Sequence, residues 1–188
     1  MSSLFELVDN SRTDKNVSHS YLGLYGDLLR SKRESAENVM EIGICNGGSI
    51  KLWHDYFKNA RVYGVDIMHI NNVWSEIKEN ERISLYTSVN AYDENFVNNN
   101  LKDKRFDFIL DDGDHTLESM KKYIKLYTPL LKEDGILIIE DVYAWEWIDK
   151  LKDAVPEELK KYIESYDLRG IKGRFDDIVF VINKSKNV

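Results

Sequence analysis

Cysteine, proline and long apolar runs are nearly missing from this chain of 188 residues. Its single cysteine, Cys45, excludes an intramolecular disulfide. The first residues also lack the basic, apolar and small-residue order of a secretory leader, so a reducing, cytoplasmic setting is expected. No apolar run approaches the roughly 20 residues needed to cross a bilayer, which excludes a helical membrane span. An excess of positive charge is lacking too: 26 Lys and Arg against 33 Asp and Glu leave a formal charge of -7. Proteins that bind nucleic acid usually show a basic face that releases counterions, so no nucleic-acid partner is expected. Pro129 and Pro156 are the two prolines, and no linker, repeat or low-complexity tract divides the chain. A single domain over residues 1–188 follows, with residues 1–35 a helical arm or lid and 36–188 the core.

What is present is a strict alternation of two periods. Residues 39–44, 62–65, 83–86, 106–110 and 136–139 are short apolar or β-branched runs of the kind that form buried strands. Between them lie helical spacings, as at 49–57 and at 117–131, where Met120, Tyr123, Ile124, Tyr127 and Leu131 share one face. In the arm, Tyr21, Leu24, Tyr25, Leu28 and Leu29 do the same. After the fifth strand the spacing predicts helices at 144–152 and 157–162, then an antiparallel edge strand at 178–182. Apolar strands alternating with amphipathic helices imply an α/β domain whose parallel sheet is covered on both faces. Ligands of such sheets sit beyond the strand C-termini.

"VMEIGICNGGSIKLW" leads from a strand through glycines into a helix, where small residues admit a ligand close to the backbone and helix N–H groups face it. Gly43, Gly47 and Gly48 miss G-x-G-x-x-G because Cys45 takes the middle glycine position, and no P-loop lysine follows. With Glu41 they fit E-x-G-x-x-x-G, a signature of S-adenosylmethionine-dependent methyltransferases. Asp66 ends the next strand, either as an N-cap or as an acceptor for both ribose hydroxyls of an adenosine. Asn90 and Asp93 follow the third strand as adenine contacts or as a polar loop. The expected cofactor contacts are Glu41, Gly43, Asn46, Gly47, Gly48, Ser49, Asp66, Asn90 and Asp111.

"ILDDGDHT" and "GILIIEDV" put acids at two adjacent strand ends. Carboxylates so crowded repel one another unless a cation joins them. Asp112, Glu140 and Asp141 are expected to converge on a hard divalent cation such as Mg²⁺, with His115 beside it as general base. Asp114 reads instead as the N-cap of the following helix. His19, His54 and His69 have no acidic company in the sequence and read as ordinary surface or core histidines. Tyr143, Trp145 and Trp147 either stack on a substrate ring or pack in the core, with at most two lining the site. Arg174, Asp176 and Asp177 read as a solvated hairpin turn in preference to a border of the acceptor pocket.

The motifs "TDKNVSHSYLGLY", "EIGICNGGSIKLWHDYFKNARVYGVDI", "DDGDH" and "EDV" together resemble the macrocin and mycinamicin type of sugar O-methyltransferases. The resemblance implies a Rossmann-like methyltransferase fold: a mostly parallel seven-stranded sheet with helices on both faces and an antiparallel C-terminal edge strand. It also implies methyl transfer from S-adenosylmethionine to a sugar hydroxyl. Asp112, Glu140 and Asp141 would be metal ligands, and His115, aided by Asp112, would be catalytic. Two departures stand out. Lys15-Asn16-Val17 replaces Lys-Gly-Thr in the arm, and Asn90-Ala91 replaces Asp-Gln after the third strand. The chain is also shorter than the macrolide enzymes, with no counterpart expected for an additional N-terminal domain. A catechol-type O-methyltransferase, an NAD-dependent oxidoreductase and a non-catalytic binding domain are the alternative readings. A sugar-containing acceptor is the expected partner, and the arm and apolar edge suggest a homodimer.

Overall fold

The computed structural model describes residues 3–186. After a short helix α1 (Leu4–Leu7) and an irregular stretch, helix α2 (Tyr21–Leu29) leads into the core. There β1 (Asn38–Ile42), α3 (Gly48–Tyr56), β2 (Arg61–Val65), α4 (Ser75–Lys78), β3 (Ile83–Tyr86), α5 (Glu94–Asn100), β4 (Phe106–Asp111), α6 (Leu117–Tyr127) and β5 (Leu131–Ile139) alternate. The chain closes with α7 (Trp147–Ala154), β6 (Ile163–Asp167), α8 (Arg169–Lys172) and β7 (Ile178–Asn183). Among the described residues seven strands form one sheet in the order β3-β2-β1-β4-β5-β7-β6. The pairs from β3 through β5 are parallel, and β7 runs antiparallel to both its neighbours.

Alternation along each inner strand fixes the two faces. Phe108 and Leu110, Ile136 and Ile138, and Val179 and Val181 pack toward Tyr25 of α2, Trp53 of α3 and Phe57 just past its end. Ile109, Leu137 and Ile139, with Ile178, Phe180 and Ile182, pack against Tyr123, Ile124 and Tyr127 of α6 and Leu151 of α7. Each such side chain contributes about 1.5–3 kcal/mol on full burial, so a one-residue slip in register would exchange the two sets and lose the fit of both.

Several boundaries differ from the pattern in the sequence. The helix expected over 117–131 stops at Tyr127, because Pro129 brings no N–H to continue it; Thr128–Leu130 turn as a 3₁₀ helix and Leu131 already belongs to β5. Residues 157–162 are likewise 3₁₀ rather than α. The C-terminal strand is antiparallel as expected, but it lies between β5 and a further strand, β6, which takes the edge. The sequence of β6, Ile-Glu-Ser-Tyr-Asp, is half-exposed along most of its length and carries no apolar run to betray it.

Strand order reverses between β1 and β4, so the loops after these strands splay to opposite sides and leave a crevice above their tips. No helix among the described residues is long and apolar enough to cross a membrane.

Candidate functional site

The crevice is laced shut from below by the backbone. Gly43 N–H donates to the Val65 carbonyl at 2.9 Å, Asp112 N–H to the Ile42 carbonyl at 2.9 Å, and Glu140 N–H to the Asp111 carbonyl at 3.2 Å. Gly43 has φ +81°, and a Cβ there would overlap the Asp112 carbonyl. The glycine therefore serves both a left-handed turn and the contact of two strand ends.

A cavity of about 610 Å³ opens beside this turn, lined by Gly43, Cys45, Asp66, Met68, Asn90 and Tyr92 among others. Asp66 is buried at the tip of β2 and accepts from the Cys45 and Met68 N–H groups, both at 2.8 Å. Gly48 and Ser49 face a second cavity, while Gly47, with φ +92°, backs onto Ile77. Four expected cofactor contacts line neither cavity, Gly47 among them. Glu41 is fully buried and faces α3, accepting from Trp53 Nε1 at 2.5 Å. Asp111 accepts from Tyr92 Oη at 2.6 Å, and burial pushes its carboxyl up to about 7. Asn46 donates to the Asn72 carbonyl and lines neither cavity. Asp93 caps α5 through the Asn95 N–H instead of reaching the cavity.

The second cavity, about 510 Å³, lies between arm residues 10–18 and the strand tips, and it shares Gly43, Cys45 and Asp112 with the first. In its wall Asp112, His115 and Asp141 each offer a ligand atom, all within 4.8 Å of one another. His115 Nε2 stands 3.7 Å from Asp112 Oδ1 and 3.7 Å from Asp141 Oδ2. His115 and Asp141 have φ of 55° and 54°, left-handed values that cost roughly 1–2 kcal/mol apiece for such residues. Backbone strain at two of the three members of the cluster marks a site where position outweighs stability.

Behind this open tier is a buried one that sequence reasoning missed. Lys15, 1% exposed, donates from Nζ to Asp112 Oδ2 at 2.6 Å and Glu140 Oε1 at 2.5 Å, and stands 3.2 Å from Glu41 Oε1. Burial opposes its charge, but the Asp112, Glu140 and Glu41 carboxylates outweigh that and hold its pKa well above the usual lysine range. Glu140 is 2% exposed, with its other oxygen taken by the Tyr25 hydroxyl. It is therefore not brought into the cluster of Asp112, His115 and Asp141. Asp141 accepts from the Tyr21 hydroxyl, and burial, followed by the charge of Asp112, pushes its carboxyl up against the pull of its hydrogen bond.

His19 is no ordinary histidine either. Its Nδ1 meets Asp177 Oδ1 at 2.8 Å and lies 3.3 Å from Asp141 Oδ1, while Nε2 faces Arg174 at 3.2 Å. Asp177 is fully buried against His19, so the turn expected to be solvated is anchored at this residue. The helix cap expected of Asp114 falls to Thr116, whose hydroxyl accepts from Ser119 N–H at 3.2 Å, with Asp114 bracing both residues. Tyr143 and Trp145 are exposed just past Asp141, and Tyr143 meets Phe175 edge-on at 5.1 Å.

Residues 40–142 match a family model described as a methyltransferase domain. The chain belongs to the methyltransferase-domain family. This methyltransferase domain is similar to L-olivosyl-oleandolide 3-O-methyltransferase of Streptomyces antibioticus, with 31% identity over 137 residues covering 69% of the chain and 34% of that protein. It is also similar to mycinamicin VI 2''-O-methyltransferase of Micromonospora griseorubida, with 26% identity over 154 residues covering 74% and 36%. The domain thus spans about a third of the length of these curated relatives. In fold it matches the MycE methyltransferase of the mycinamycin biosynthetic pathway, solved in complex with Mg, SAH and mycinamycin VI. The TM-score is 0.76 at 20% identity, over 97% of this chain and 53% of that one.

Proposed function

We propose that this methyltransferase domain transfers the methyl group of S-adenosylmethionine to a hydroxyl of a sugar-containing acceptor, with a divalent cation in the open acidic tier. The observation that carries this reading is the place of Asp112, His115 and Asp141, in the wall where a donor-sized cavity meets a second cavity under the arm. The named activities of the relatives and the ligands of the MycE complexes support the same assignment.

The donor set fits a hard cation. Three carboxylates, from Glu41, Asp112 and Glu140, face one ammonium, that of Lys15, while Asp112 and Asp141 line the second cavity. Asp112 and Asp141 would hold such an ion. Glu140 reaches it only by exchanging its bond to Lys15 or to Tyr25. When bound, the cation supplies Lewis-acid polarisation of an acceptor hydroxyl.

The chain's own residues do the rest. Asp66 and the glycine turn bind the adenosine portion of the donor, with Asn90 in the same wall. His115 Nε2, in the wall of the second cavity and 39% exposed, receives the hydroxyl proton and passes it to solvent. The arm closes the second cavity against bulk water and sets the acceptor oxygen in line with the donor methyl.

The test is a methylation assay with a rhamnoside and a catechol offered in parallel, with and without EDTA. Transfer to the rhamnoside, abolished by EDTA, is expected. Transfer to the catechol alone, or transfer indifferent to EDTA, overturns the assignment. Calorimetry with S-adenosylhomocysteine and with NAD separates the oxidoreductase reading, which requires NAD to bind.

A further inference from the structure

Lys15 stands out in the whole molecule because it ties the arm to three neighbouring strand ends at once. It belongs to the arm, its ammonium is buried at 1% exposure, and its partners come from the tips of β1, β5 and the loop after β4. Asp112 is divided between two tiers: Oδ2 meets Lys15 at 2.6 Å, and Oδ1 faces His115 at 3.7 Å across the open cluster. The arm is further seated by contact. The Arg12 carbonyl fills the space where Gly48 would carry a Cβ, and the Arg12 guanidinium lies 3.3 Å over the ring of Trp74.

The geometry points to Lys15 as an internal countercation: a positioning residue whose ammonium shares Asp112 and Glu140 with the divalent cation, and so links seating of the arm to occupancy of the metal site. The inference rests on the cation reading proposed above. Two like charges drawing on the same carboxylates repel, and at short range inside a protein that repulsion is strong. Lys15 therefore holds the acidic centre together while the cation is away, and it weakens the cation's hold when it arrives. A lysine that merely braced the fold would act in the opposite sense, since its loss would loosen Asp112 and weaken cation binding.

The sign of the effect is what the experiment reads. Mg²⁺ is titrated calorimetrically into the full chain, without donor or acceptor, for wild type, K15M, K15R and the double variant K15M/E41Q. The double variant deletes one charge of each sign, so the buried tier keeps its balance if K15M alone folds poorly. Thermal denaturation in EDTA and in excess Mg²⁺ runs alongside. K15M and K15M/E41Q are expected to bind Mg²⁺ about tenfold more tightly, or better, and to gain more in melting temperature from it, while K15R tracks wild type. A K15M protein unfolded in EDTA and restored by Mg²⁺ is the same result in extreme form. Equal or weaker binding by both Met variants overturns the role of Lys15, as does failure of both to fold even with Mg²⁺. Wild type that binds no Mg²⁺ overturns the cation reading itself, and this inference with it.

Discussion

Asp141 and His115 occupy backbone angles that most side chains avoid, and they do so facing one another at 3.7 Å. If His115 is the base, His115→Ala loses about 10²- to 10⁴-fold in turnover while the affinity for S-adenosylhomocysteine in calorimetry stays near that of wild type. A parallel loss of cofactor affinity would make it a structural residue. Tyr25→Phe removes the hydroxyl donor from a buried carboxylate, and urea denaturation should show a loss of about 1–3 kcal/mol. The acids of the site were legible in the sequence because carboxylates bunched at two strand ends have few innocent explanations. Lys15, His19, Tyr21 and Tyr25 were not. A lone lysine or histidine in a polar stretch has no periodic signature, and the two tyrosines blend into the apolar face of α2, where only their hydroxyls betray a second role.

Among the elements, the turn from β1 into α3 leaves least room for change. In Gly48→Ala the added methyl would press on the Arg12 backbone, so the arm must shift, and trypsin should cut after Arg12 faster than in wild type. At the other end of the sheet, buried Lys32 pairs with Asp134 in β5 and, chiefly through that hydrogen bond, lowers the carboxyl pKa. A carboxylate with a depressed folded-state pKa adds stability above its unfolded value, about 3.9, and loses it as pH falls through the folded value below that. Asp134→Asn should therefore destabilise the protein at pH 7 and flatten the acid limb of its stability curve, measured by denaturant midpoints between about pH 2 and 5. The inner strands were readable because both faces of each are covered, which leaves runs such as Gly-Ile-Leu-Ile-Ile unbroken. β6 escaped because an exposed edge tolerates Glu, Ser and Asp, and the end of α6 was set by Pro129 rather than by the apolar period running past it.

For the molecule as a whole, donor binding should appear as stability. At a free S-adenosylhomocysteine concentration 100 times Kd the folded state gains about 2.7 kcal/mol, which for a chain of this size raises the melting temperature by about 5–11 °C. No shift at any concentration would remove the donor site from the first cavity. The apolar run of β7, which in the sequence suggested an edge open to a second copy, is buried between β5 and β6, so the edge that faces solvent there is the polar β6.

That placement of β7 also sets an order of events during synthesis. Asp177, which fixes His19, immediately precedes β7, and Lys172, which grips the carbonyl of His19 at 2.8 Å, lies a few residues earlier. A segment made early is thus fastened by one made much later. A nascent chain can pair the parallel strands and offer Lys15 its carboxylates early, but His19 has no seat until residues 172–183 have emerged, so that side of the site is completed by the later-made segment.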